Sequence, residues 1–431
     1  MSVRSARGQP LRYEPMIISH ETFRLNWVMR LRNIVLIFTG TVVLGQGCLH
    51  AQDQPGVHHI TVPMSVEGNA PIITLAFKTP QGGLRSARFL FDSGGGAIIL
   101  GEGLAKDIGL KSKGAILSDD GQQYEEVDLP TAFVGEMPVD LQTSKAFAHV
   151  GASSFIHDRY KVEGMLPGKA LERYQIILDY PQNRFSVGEA GTFLHQGEKL
   201  PCPYVASSGH PRVDAGIDDI KYGFLLDTGT QITLMREDVL KQWAKEHPDW
   251  PRSIGAVGPA NDGADPDDDF LLRIPRLQLG SFTANHVAVA SRPNETYSAT
   301  TYDTPAAIVG ALGGNVLSRF RVEIDYPEQL CFFEHSGKEQ ANDFDTVGLV
   351  LDTNSSGQLV VRAVSSTASA ITRQNIQPGD VILQIDDSGD APYTLTKAEQ
   401  ALSGAVGDRK LLRIVRRGEP MSVTLVVSRI L

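Results

Sequence analysis

Two aspartates in this chain stand in closely matched surroundings. Asp92 lies in Phe-Leu-Phe-Asp-Ser-Gly-Gly-Gly, residues 89–96, and Asp227 in Phe-Leu-Leu-Asp-Thr-Gly-Thr-Gln, residues 224–231. In both, an apolar run enters Asp-Ser/Thr-Gly and a second apolar run leaves it. One such motif is ordinary turn chemistry, because Asp, Ser and Gly all favour turns. Two in one chain suggest a pair of carboxylates brought together. Carboxyls about 3 Å apart cannot both ionise easily and share one proton. The ionised member can take a proton from water while the protonated member donates to a carbonyl oxygen. That chemistry hydrolyses peptide bonds without a metal or an organic cofactor, and none is expected. The pair titrates as a unit, so neither role belongs to one aspartate in the free protein. Ser93 and Thr228 are placed to hold the two loops through hydroxyl-to-backbone hydrogen bonds. Gly94 and Gly229 let backbone come close to the carboxylates.

The elements that must position these loops repeat as well. Gly-Glu-Gly-Leu-Ala-Lys follows the first motif, with Leu104 and Ile108 at helical spacing. Arg-Glu-Asp-Val-Leu-Lys follows the second, with Val239, Leu240 and Trp243 on one face. Both predict a helix leaving the turn. Downstream, Tyr174–Val187 and Phe320–Phe333 each read as strand, Asp-Tyr-Pro turn and strand, hence a hairpin. Asp92 precedes Asp179 by 87 residues, and Asp227 precedes Asp325 by 98. Asp179 and Asp325 are read as turn residues.

The paired Asp-Ser-Gly and Asp-Thr-Gly loops between apolar strands resemble the two active-site loops of aspartic proteases. The Asp-Tyr-Pro hairpins bring the likeness nearer to the retropepsin-like branch than to pepsin. The resemblance covers roughly residues 56–340. It implies a mainly β fold of two lobes, 52–192 and 193–336, each a β-barrel giving one aspartate to a cleft between them. It also implies an apolar-apolar-Gly segment behind each aspartate loop. Ile308-Val309-Gly310 supplies it in the second lobe. In the first, Gly164-Met165-Leu166 runs into Pro167 where Gly is expected, and Gly95 stands where Ala or Ser is usual. A flap over the cleft is expected as well. Tyr124, after the turn Asp119-Asp120-Gly121, is the candidate, with an ordinary surface hairpin as the alternative. Because both halves lie in one chain, a monomer suffices for the site, and the substrate would be a protein or peptide. A second reading keeps the folds and drops the chemistry: an inactive periplasmic peptide-binding or scaffold protein.

Beyond a hydrophilic linker at 337–345, residues 346–431 change character. The order of apolar strands, the turn Gln377-Pro378-Gly379-Asp380 before Val381–Ile385, and a late helical segment resemble a PDZ domain. The resemblance implies a β-sandwich or partly open barrel with two helices. It makes Gly348, Leu349 and Val350 the carboxylate-binding loop for a C-terminal peptide, which would add as a strand beside residues 349–351.

Composition bounds the rest. The 431 residues are 42% hydrophobic and 7% aromatic, an ordinary globular balance. A net charge of −10 without a basic block argues against nucleic acid as partner. Residues 1–51 read as an N-terminal extension and signal peptide. Arg30 and Arg32 precede an apolar run, residues 34–44, that is too short to span a bilayer. Cleavage after Ala51 and a secreted or periplasmic product are expected, with Met29 as the true start. Lipid attachment at Cys48 is disfavoured by the Gly45-Gln46-Gly47 that precedes it. Export leaves Cys202 and Cys331 in an oxidising compartment, either bridged or as two buried thiols. No zinc or serine hydrolase motif is present, and the acidic run at 260–270 departs from a calcium loop at Phe270.

Overall fold

The computed structural model describes residues 58–119, 122–150, 159–204, 208–218, 220–255, 270–294, 296–297, 308–337, 344–386 and 393–431. The signal segment, the turn at 120–121 and the acidic run at 256–269 lie outside them. Residues 55–431 form one compact unit. Among the described residues no helix is long and apolar enough to cross a membrane.

The described residues are mainly β and form the expected two lobes, and the lobes repeat one strand plan. In the first, Ala70–Lys78 pairs antiparallel with Leu84–Asp92, which ends on the first aspartate. Gly164–Pro167 then pairs parallel with Leu84–Asp92 and antiparallel with Ile98–Leu100. Ile98–Leu100 pairs parallel with Ala146–His149. In the second lobe, Arg212–Ile217, Ile220–Leu226, Ile308–Leu312, Thr233–Arg236 and Phe282–Arg292 follow in the same order, with the same parallel and antiparallel senses. Each aspartate strand is interior to its sheet, flanked by a strand on both sides, which is why Phe89, Phe91, Phe224 and Leu226 are apolar and fully buried. A helix follows each loop as expected, Glu102–Asp107 and Glu237–Glu246.

The Asp-Tyr-Pro hairpins join the lobes. Tyr174–Asp179 pairs antiparallel with Phe320–Asp325 at the centre of a six-stranded sheet to which both lobes contribute. Glu323, fully buried in this sheet, is met by Gln175 of the other lobe at 2.7 Å and by His195 at 2.6 Å. At the sheet's edge, Glu198–Pro201 pairs with Leu330–His335. Cys202 and Cys331 there form a disulfide, with Cα atoms 5.3 Å apart at a sequence separation of 129.

The strand register corrects one reading of the sequence. Gly164 lies opposite Phe89 just as Gly310 lies opposite Phe224. The glycine of the first lobe is therefore Gly164, and Pro167, opposite Asp92, is not its counterpart. Both glycines stand where a side chain has no room. A Cβ on Gly164 would sit 2.5 Å from the Ile99 carbonyl oxygen, and one on Gly310 would sit 2.1 Å from that of Leu234.

The C-terminal residues form a five-stranded antiparallel sheet with two helices, Ala370–Asn375 and Leu395–Ala401. Leu349–Thr353 is its edge strand, paired with Leu359–Val364. Val347, Leu349, Ile385, Ala398, Leu412 and Leu425 lie in its core. The end of the expected linker is ordered: Phe344 is buried, and Asp345–Thr346 pairs with Ser428–Arg429.

Gly164→Ala tests the register. The added methyl meets backbone at Ile99 and the Phe89 ring, 2.4 Å away. We expect a loss of about 3 kcal/mol or more of unfolding free energy in urea. A neutral effect would contradict the assignment of Gly164 as the counterpart of Gly310.

Candidate active site

Asp92 and Asp227 come together where the lobes meet, each at the end of a central strand. Both are half-buried, so the pair is not sealed inside a core. Their neighbours leave no room for side chains at the two glycines. A Cβ on Gly94 would lie 2.6 Å from Cγ of Asp227, and one on Gly229 would lie 2.3 Å from Cγ of Asp92. Each loop thus seats its glycine against the carboxylate of the other.

The fully buried Ser93 and Thr228 lock this exchange. Ser93 N–H donates to Thr228 Oγ1 at 3.0 Å, and that hydroxyl donates to the Phe91 carbonyl at 2.9 Å. Thr228 N–H donates to Ser93 Oγ at 3.1 Å, and Ser93 Oγ donates to the Leu226 carbonyl. The expected hydroxyl-to-backbone bonds are present, and every one of them crosses between the lobes. Within each loop, Gly94 N–H donates to Asp92 Oδ1 at 2.9 Å. Gly229 and Thr230 N–H donate to Asp227 Oδ1 at 3.0 and 3.2 Å.

Burial and the neighbouring Asp227 carboxylate push the Asp92 carboxyl well above its ordinary range. Burial also raises Asp227, against hydrogen bonds from Asp92, Gly229 and Thr230 that favour its ionised form. The pair therefore holds a proton above the pH at which an isolated aspartate loses it.

Three aromatic groups near the pair were not singled out in the sequence. Tyr180 and Tyr326, of the two Asp-Tyr-Pro turns, are buried with hydroxyls that have no hydrogen-bond partner among the described residues. Burial, and after it Asp227, opposes ionisation of the Tyr180 hydroxyl, and burial, and after it Asp92, opposes that of Tyr326. Tyr326 reaches across from the second lobe: a Cβ on Gly168 would sit 2.0 Å from its hydroxyl and 3.1 Å from Cα of Ser93. The repeated Tyr in the two turns was the available signal. His210 also faces Asp227, and among the described residues neither of its buried ring nitrogens has a hydrogen-bond partner. Burial lowers its pKa, and Asp227 and the Gly95 carbonyl act against that shift without a formed hydrogen bond. A lone His before a strand carries no sequence signal.

The remaining candidates are elsewhere. Tyr124 lies in the strand Gln122–Val127 and packs edge-on against His149, ring centroids 5.2 Å apart. Gly348 has φ +80°, its carbonyl accepts from Ser365 N–H at 2.9 Å, and Leu349 and Val350 are buried. A Cβ on Gly95 would lie 3.1 Å from Asp92 Oδ2, so its lack of a side chain leaves that oxygen clear. Among the described residues no group of three or more His, Cys, Asp or Glu is placed to hold a metal ion.

The chain matches no protein-family model and no curated protein. Among solved structures, the crystal structure of the aspartic proteinase from Irpex lacteus aligns with 66% of this chain and 99% of its own, at 13% identity and a TM-score of 0.44.

Thr228→Val keeps the shape and removes the hydroxyl. It leaves the buried Ser93 N–H without its acceptor and the Phe91 carbonyl without that donor. We expect a loss of roughly 2–4 kcal/mol in chemical unfolding, with Thr228→Ser losing less than about 1 kcal/mol. Equal stabilities for the two variants would show that the crossed hydroxyl does not tie the lobes.

Proposed function

We propose that this chain is an exported aspartic endopeptidase, working as a monomer, in which Asp92 and Asp227 activate water for peptide hydrolysis. The observation that carries the reading is the reciprocal seating of the two aspartate loops. Nothing in simple stability calls for two carboxyls to be buried side by side, since like charges at close range oppose ionisation. An acid and a base held at one point are what acyl hydrolysis requires.

In this mechanism water sits between the carboxyls and the peptide carbonyl. The ionised carboxylate removes a proton from water as oxygen attacks carbon. The protonated carboxyl donates to the carbonyl oxygen, giving a neutral tetrahedral diol. Collapse of the diol breaks the C–N bond. The protonated carboxyl gives its proton to the departing nitrogen while the other carboxylate takes a proton from a diol hydroxyl as the carbonyl re-forms, so the pair is again singly protonated. Both carboxyls are raised, so the pair keeps one shared proton and acts as a unit, one member as acid and the other as base.

The C-terminal module is proposed as a PDZ domain that binds a peptide C-terminus or regulates the cleft. Its five-stranded sheet, edge strand Leu349–Thr353 and neighbouring helix Leu395–Ala401 support that reading. Export is supported by the Arg30–Leu44 pattern and by the Cys202–Cys331 disulfide, a bond of oxidising compartments.

The test is cleavage of an unfolded protein pool by the 52–431 chain beside Asp92→Asn and Asp227→Asn. We expect both substitutions to reduce turnover by at least about a thousandfold, in line with the loss of a general acid or base. Wild-type inactivity at every pH, in folded protein, would favour a peptide-binding protein without catalysis.

The pH dependence has a definite sign. Activity needs one proton on the pair, so it should fall in strong acid and fall again as pH rises through the raised Asp92 value. Stability follows the same group. A carboxyl raised on folding contributes stability that is whole below its unfolded value and lost as pH rises through the folded one. Asp92→Asn, which cannot ionise, should therefore melt higher than wild type at pH 7 and lose that advantage in acid. A variant that melts lower than wild type at pH 7 would contradict the protonation argument.

A further inference from the structure

The C-terminal module does not sit on the lobes as an appendage. Phe344, Ile430 and Leu431 share a buried cluster with Leu225, Ile232 and Leu234 of the second lobe. A separate contact joins its helix Leu395–Ala401 to the first lobe. The Glu399 carboxylate accepts from the Arg159 guanidinium at 3.0 Å, with side chains only 6% and 5% exposed. The Thr396 hydroxyl donates to the Arg159 carbonyl at 3.1 Å. Side chain and backbone of Arg159 are thus held by successive turns of one helix.

The next residue carries the contact to the candidate active site. Tyr160 is 4% exposed, and its hydroxyl accepts from Gln231 Nε2 at 3.2 Å. Gln231 closes the loop that begins at Asp227 and sends two N–H groups to its carboxylate. That glutamine is clamped from several sides. Its carbonyl accepts from Asn69 Nδ2 at 3.4 Å and from Asn315 N–H at 2.9 Å. Its carboxamide lies on Gly68, where φ is +55° and a Cβ would stand 2.7 Å from Gln231 Cδ. Tyr160 is the partner that links this clamp, through Arg159, to the C-terminal helix.

A buried ion pair is seldom worth more than apolar side chains of the same shape, because both charges give up their water. What the Arg159–Glu399 pair supplies is one docking register. We propose that Arg159 and Tyr160 are positioning residues through which the C-terminal helix holds the Asp227 loop in its working geometry. The module is then part of the catalytic unit, and a ligand that shifts the helix shifts the loop. This rests on the peptidase reading above, although the mechanical link has a readout of its own.

The experiment uses the 52–431 chain with Tyr160→Phe, Glu399→Gln and the double variant Arg159→Met/Glu399→Leu. Three quantities are read: kcat and KM on an unfolded protein substrate, hydrogen–deuterium exchange of residues 227–232, and the melting temperature. We expect Tyr160→Phe to lower kcat about fivefold, the worth of one hydrogen bond, with KM within about twofold. Exchange of the loop should quicken by a similar factor. Glu399→Gln should act in the same direction. The double variant should melt near wild type, since it leaves no lone buried charge, and still show the faster loop. Unchanged kcat and unchanged exchange in folded variants would overturn the proposal. So would a lower melting temperature with the loop unaltered, which marks a purely structural contact. A wild type that cleaves nothing, with loop exchange that still responds to the variants, would leave the positioning link standing and remove the peptidase reading.

Discussion

The constraint on which the molecule turns is the approach of two carboxyl groups across a lobe boundary. Like charges repel, and burial makes the repulsion worse. Only a framework tied on both sides holds them, and the framework here is an exchange. Ser93 is satisfied by residues 226–228, and Thr228 by residues 91–93. Neither lobe can complete its own loop. Gly94 and Gly229 are forced by the same geometry, because any Cβ there would occupy the opposite carboxyl.

Everything larger serves that boundary. The hairpins at Asp179 and Asp325 knit the lobes into one sheet, and the sheet places Tyr180 and Tyr326 close to the two aspartates. A phenol close to a carboxyl pair fills space without adding charge, since burial, and after it the nearby carboxylate, opposes its ionisation. The cost is two buried hydroxyls without partners among the described residues. That arrangement keeps the pair's surroundings of low polarity, which is what lifts the Asp92 carboxyl.

Much of this was legible in the residues because duplication writes each feature twice. The aspartate loops, the helices after them and the hairpins were readable from matched strings. What failed was register. Pro167 looked like the counterpart of Gly310 because local spelling was compared, whereas pairing aligns Gly164 with Phe89. A glycine needed for backbone approach is identified by what stands across the sheet from it, and that partner is remote in sequence. His210 escaped for the same reason: nothing local marks a ring whose neighbours are Gly95 and Asp227. Tyr124, the flap candidate beside the turn at 119–121, packs edge-on against the His149 ring.

The C-terminal module shows the limit most clearly. Its strands and helices follow from local pattern, and a sequence reading naturally treats it as a separable binding unit. Yet Phe344 and Leu431 are as buried as core residues of the lobes, and Glu399 is paired 240 residues away. A module that owes part of its core to its neighbour cannot tumble freely from it. Recruitment by a mobile domain on a tether is thereby the weaker account of its role. Ligand information passing through a fixed interface is the stronger one, because the residues that seat the helix adjoin the glutamine that closes the Asp227 loop.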